Sequence, residues 1–195
     1  MNFLAHLHIA DHCQSSLLGN LLGDFVKGDP SKAYSAKISQ GIKLHRFVDS
    51  YTDNHIIIKH CKQRFDSSLK RFAPIAMDMF WDHCLAKHWQ DYHPQSLKEF
   101  VDRAETDITR EKEVLPERFI AMTAHMWRGR WLESYSDLAN IKYALERMSQ
   151  RSMRMTPLAD CGLQLEQNYH EFSGFFAELY PEVLAQTIKV AKVMQ

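Results

Sequence analysis

A chain of 195 residues is long enough to close a sizeable core within one domain. Apolar residues at 45% and charged residues at 25% suit a soluble globular protein, and a formal net charge of zero excludes a global field that would draw it to nucleic acid or membrane. No apolar run reaches the roughly 18 residues a bilayer span needs, and the start, MNFLAHLHIADH, lacks the basic lead and long apolar stretch of a signal peptide; a cytosolic location is expected.

Glycine and proline are few, 7 and 6, and no alternating pattern persists, so helical periodicity dominates. Phe3, Leu4 and Leu7 open an apolar stripe that Leu17, Leu18, Leu21, Leu22 and Phe25 continue until Gly28-Asp29-Pro30-Ser31 breaks it. The next helix is expected from about Ser35 to Asp53. Asp53 or Asn54 then caps another that turns Ile57, Ile58, Cys61, Phe65 and Leu69 inward. A further helix spans Pro74 to Trp89. Ser96 with Glu99 three residues on reads as a capping box ahead of Leu97, Phe100, Val101, Ala104 and Ile108. Asp102 to Glu117 reads as a solvated helix face and turn. Short helices follow over Phe119 to Trp127 and Leu138 to Met148. Thr156-Pro157 has the form of a helix start, and Pro181 that of the opening of a terminal helix. The expected architecture is one all-α domain over residues 1–195, a helical bundle.

Cys13, Cys61, Cys84 and Cys161 form no C-x-x-C pair and are expected as buried, free thiols. Histidine is distributed unevenly: nine of eleven fall within the first 93 residues, which places the chemistry in the N-terminal half. In GIKLHRFVDSYTDNH, residues 41–55, His45, Asp49 and Asp53 recur every fourth position and so share a helix face. The competing reading is a polar face in solvent, with Asp49 paired to Arg46 or Lys43. In DMFWDHCLAKHW, Asp78 and Asp82 are four apart with His83 adjacent, among Met77, Met79, Phe80, Trp81, Cys84 and Leu85. A helix apolar on all sides is buried, and buried carboxylates need cations, donors or a metal. Asp24 in GNLLGDF poses the same problem.

Oxygen ligands with one or two imidazoles suit Mn²⁺, Mg²⁺ or Fe²⁺ better than a structural zinc. A di-iron bundle is disfavoured, because no glutamate here has a histidine three residues later. His6 and His8 diverge by about 200° on a helix; His6 shares the side of Phe3 and Leu7 and is read as a hydrogen-bonded core histidine. Arg147, Arg151 and Arg154 form a basic stripe if their helix persists, fit for an acidic surface.

The ordered blocks MNFLAHLHIA, SLLGNLLGDFVKG, GIKLHRFVDSYTDNH and DMFWDHCLAKHW resemble the acyl carrier protein phosphodiesterase family over the first 90 or so residues. The resemblance implies an HD-like, all-helical fold and Mn²⁺-dependent hydrolysis of the phosphodiester between 4′-phosphopantetheine and a serine of holo-acyl carrier protein. It implies a metal site of Asp24, His45, Asp49, Asp78, Asp82 and His83; because the serine oxygen is a poor leaving group, His83 or His45 is expected to protonate it. An acidic carrier protein would dock on Lys43, Arg46 or the Arg147, Arg151 and Arg154 stripe. One departure stands out: HD enzymes read His-Asp at the central doublet, whereas this chain reads Asp82-His83. Two other readings remain open, an HD-like hydrolase of nucleotides or small phosphate esters and a helical interaction protein without catalysis.

Overall fold

The computed structural model describes residues 1–194. Eleven α-helices are present among them and no strand: α1 Phe3–His12, α2 Leu17–Leu22, α3 Ala36–Asn54, α4 Ile56–Arg64, α5 Ala73–Lys87, α6 Leu97–Arg110, α7 Glu117–Arg128, α8 Trp131–Ser134, α9 Leu138–Ser149, α10 Cys161–Gln167 and α11 Tyr169–Met194. The all-α expectation holds. Helix α5 is the central rod. Its sequence carries apolar residues on every side, and it packs against α1, α4, α8, α9, α10 and α11. Helix α11 docks on it through an aromatic row one turn apart: Phe172 meets Phe80 at 5.9 Å between centroids, Phe176 stacks on Trp81 at 6.0 Å, and Tyr180 stacks on Phe176 at 4.9 Å. Fully buried aromatics of this kind each contribute on the order of 3 kcal/mol or more.

Helices α1, α2 and α3 form the layer that carries the chemistry. Helix α1 is buried from Leu4 to Ala10. Helices α2 and α3 touch backbone to backbone: a Cβ on Gly19 would sit 2.4 Å from the Ile38 carbonyl oxygen and 3.0 Å from the Gly41 Cα. Only glycine permits that approach.

The capping box at Ser96 and Glu99 is formed in full. Three expectations are corrected. The cap of α4 is neither Asp53 nor Asn54 but His55, whose Nδ1 accepts from the Ile57 amide at 3.3 Å. Thr156-Pro157 starts no helix; Pro157 lies inside a 3₁₀ stretch, Met153–Asp160, that folds back on α9 to bury Leu158, and α10 begins at Cys161. Pro181 sits within α11 instead of opening it. A mid-helix proline costs about 3 kcal/mol, but here the apolar stripe continues on both sides of it through Leu179, Tyr180, Val183 and Ala191, and that burial carries the helix past the exposed ring. All four cysteines are buried and free, as expected, and burial pushes the Cys61, Cys84 and Cys161 thiols up to about 12. No helix among the described residues is long and apolar enough to cross a membrane.

Candidate metal centre

Helix α3 presents His45 and Asp49 one turn apart toward α1, and α1 answers with His6. Asp49 joins them: its Oδ1 is 3.0 Å from His6 Nε2 and its Oδ2 is 3.0 Å from His45 Nε2. The two imidazoles stack at 3.8 Å between centroids, 23° from parallel. Asp24, in the turn that closes α2, brings Oδ1 to 3.4 Å from His45 Nε2. One ligand atom from each of His6, His45 and Asp49 lies within 4.8 Å of the others. The imidazoles are sealed, with His6 1% and His45 2% exposed, whereas the Asp49 and Asp24 side chains are 35% and 57% exposed. The cluster thus has a nitrogen floor and an oxygen mouth.

Electrostatics separate the two rings. Burial, together with the His45 charge, lowers His6 to about 4. Burial opposes the charge on His45 too, but the bonds to Asp24 and Asp49 outweigh it and raise it to about 9. The pair therefore carries one positive charge near neutrality, on His45. Asp49 is buried enough to resist ionisation, yet His45 and His6 hold it well below the usual carboxylate range, and the His45 bond lowers Asp24 as well.

The donor set fits a divalent ion. Two imidazoles and two carboxylates converge from three elements, with Nε2 of both rings turned to the carboxylates, and a mixed nitrogen and oxygen set of this kind suits Mn²⁺, Fe²⁺ or Mg²⁺.

The expected site residues divide. Asp24, His45 and Asp49 come together, with Asp49 paired to imidazoles and not to Arg46 or Lys43. Asp78 borders the group through the Met1 ammonium, which lies 2.6 Å from Asp78 Oδ1 and 3.6 Å from Asp49 Oδ1. Burial works against that ammonium, but the two carboxylates raise it to about 10. Asp82 is committed elsewhere: its oxygens accept from the amides of Leu4 and Ala5 at 2.8 and 3.0 Å, capping the first turn of α1 from a neighbouring helix. Burial raises it to about 7, against the pull of those two amides. His83 does not join the cluster. Its Nδ1 donates to the Tyr135 carbonyl at 2.8 Å and its Nε2 accepts from the Tyr169 hydroxyl at 2.9 Å, so neither nitrogen is free for a metal or a leaving group. Asp53, on the same face of α3, is exposed and outside the group.

His6 is the member that sequence reading took for a core histidine. Its helical side was legible, since it shares a face with Phe3; what waits on that side, a carboxylate from α3, was not. The cationic residues also divide. Arg46 donates to the carbonyls of Val26 and Gly28, each at 2.7 Å, and so pins the turn after Asp24 instead of facing a partner. Lys43 is exposed. Arg147 lies on α9, but that helix stops at Ser149, so Arg151 and Arg154 are exposed beyond it and the expected stripe is not a helical one.

The fold and the site define an all-helical protein with a buried imidazole pair beneath half-exposed carboxylates. More particularly, the chain belongs to the acyl carrier protein phosphodiesterase family, whose family model matches residues 1–183. It is 41% identical to the acyl carrier protein phosphodiesterase of Pectobacterium atrosepticum across the whole of both chains. It is also 41% identical to the protein of that name from Serratia proteamaculans, over 95% of this chain and 97% of the relative. The protein so named from Photorhabdus laumondii is again 41% identical, over 94% and 93%. No solved structure matches the chain.

Proposed function

We propose that this protein hydrolyses the phosphodiester through which 4′-phosphopantetheine is attached to a serine of holo-acyl carrier protein, giving apo-acyl carrier protein, and that it does so with a divalent ion, Mn²⁺ first among the candidates. The observation that carries the reading is the convergence of His6, His45 and Asp49, with ligand atoms within 4.8 Å of one another and Asp24 alongside, in a chain of this family. His6, His45, Asp49 and Asp24 would hold the ion. A bound divalent ion supplies Lewis-acid polarisation of a phosphoryl oxygen.

The chain's own residues do the rest. Asp24 is ionised and the most exposed member, so it stands where an attacking water would arrive and can take that water's proton. Water oxygen bonds to phosphorus, the bond from phosphorus to the serine oxygen breaks, and the serine oxygen leaves with a proton from solvent. Neither imidazole first considered for acid catalysis is free for it: His83 is bound by Tyr135 and Tyr169, and His45 would be a ligand of the ion. Lys43, exposed on α3, is a cation open to an acidic carrier. Arg147, Arg151 and Arg154 offer a second, more distant basic surface.

The test is the mass of holo-carrier protein incubated with the purified enzyme. Loss of one phosphopantetheine group with Mn²⁺, abolished by a chelator, is the expected result. Turnover of nucleotides with the carrier left intact would overturn the substrate, and turnover of holo-carrier undiminished by chelator would overturn the metal.

A further inference from the structure

We propose that Gly23 is a positioning residue of the metal centre: the space of its missing side chain is the seat of the His45 ring. The inference rests on reading His6, His45 and Asp49 as that centre. Gly23 follows the last residue of α2 with φ −50° and ψ −42°, a conformation open to any residue, so backbone freedom does not explain a glycine there. Space does. A Cβ on Gly23 would fall 2.0 Å from His45 Cδ2, 2.1 Å from Cγ and 2.6 Å from Nε2, where ordinary contact begins at 3.4 Å. The clash is with ring atoms, so no rotation of a flexible chain end relieves it. The ring must retreat by more than an ångström.

Its present surroundings leave little room for retreat. His6 stacks on the ring at 3.8 Å, and Asp49 and Asp24 bracket Nε2 at 3.0 and 3.4 Å. The contrast with Gly19, one turn earlier, isolates the role. A Cβ on Gly19 meets the backbone of Ile38 and Gly41, so that glycine sets the spacing of α2 and α3; a Cβ on Gly23 meets the side chain of His45. Because Gly23 immediately precedes Asp24, a methyl group there disturbs two donors of one cluster. Metal donors tolerate misplacement of only about 0.2 Å.

The test uses the full chain. Gly23→Ala is expected to weaken Mn²⁺ binding, read by calorimetry, by about 10–100-fold, the range for loss of an outer support of a metal ligand. Gly174→Ala, where the added methyl meets nothing within 4 Å, is expected to bind as the parent does. A second arm places Gly23→Ala in a His45→Ala background, where the drop in Tm caused by Gly23→Ala should vanish because the ring it strikes is gone. Equal Mn²⁺ affinity in Gly23→Ala and the parent, or the same drop in Tm with and without the His45 ring, overturns the inference. Absence of Mn²⁺ binding by the parent sinks the metal reading instead and leaves the Tm arm to decide the seating. If Gly23→Ala alone does not fold, recovery of folding on adding His45→Ala supports the inference, and no recovery overturns it.

Discussion

His6 and His8 stand two residues apart on one buried helix and live in opposite surroundings. His6 faces Asp49 and the His45 ring, with one nitrogen unbonded and carboxylates open to water above it. His8 is closed in: its Nε2 donates to the Tyr92 carbonyl at 3.1 Å, its Nδ1 accepts from the Tyr180 hydroxyl at 2.7 Å, and Trp89, His93 and Tyr180 crowd its faces. Both rings are driven to about 4 by burial, so the shift alone does not tell a site from a core. What each ring faces does. His8 spends both nitrogens on a carbonyl and a hydroxyl inside the core, whereas His6 turns Nε2 to a half-exposed carboxylate that it shares with a second imidazole.

Substitution on the two sides should therefore fail differently. Asp49→Ala removes the one group that touches both imidazoles. Activity on holo-carrier protein should fall by more than about 100-fold, beyond the range for outer supports alone, measured by release of phosphopantetheine, while the mutant still folds. On the other side, His8→Gln should leave Mn²⁺ affinity unchanged and alter acid stability. His8 sits at about 4 when folded against 6.5 unfolded, so only the unfolded chain takes up its proton in that window. Stability is complete above pH 6.5 and falls by about 3 kcal/mol as the pH drops to about 4. Urea midpoints across that range should show a flatter acid limb in His8→Gln than in the parent.

The next effect sharpens the open side. Saturating the native state with Mn²⁺ at about a hundred times its Kd should add roughly 2.7 kcal/mol, or about 5–10 °C in Tm for a chain of this size. Asp24→Asn should reduce that rise and His8→Gln should keep it, as followed by a thermal melt with and without chelator. Smallest are the surface cations. Lys43→Ala should lower kcat/KM for the carrier a few-fold, with less effect at high salt, and leave Tm within about 0.5 °C to 2 °C of the parent. Arg147→Ala, Arg151→Ala and Arg154→Ala together should change it less than Lys43→Ala does. A larger loss from the triple variant would move the docking face to α9 and the segment after it.

What the sequence disclosed followed from how local each determinant was. The helix over Leu97–Arg110 was readable because the Ser96–Glu99 box spans four residues. The placement of His45 beside Asp49 was readable because a single helix enforces it. Asp82 and His83 lie apart from the cluster because adjacent residues on a wholly buried helix point to different neighbours, and nothing within α5 says that one will meet the start of α1 and the other Tyr135 and Tyr169. Pro181 misled for the same reason: a proline is a local stop signal, and the burial that overrode it comes from α11 lying against α3 and α1 as well as α5. His6 became visible as a member of the centre only once α3 lay across α1.

The Asp82 carboxylate that holds the first turn of α1 lies 78 and 77 positions along the chain from the amides it binds. The helix bearing His6 is thus capped by a group from a remote part of the chain rather than by a residue of its own. A nascent chain that ended before Asp82 would carry His6, His45 and Asp49 and yet lack the carboxylate that holds the first turn of α1 in place.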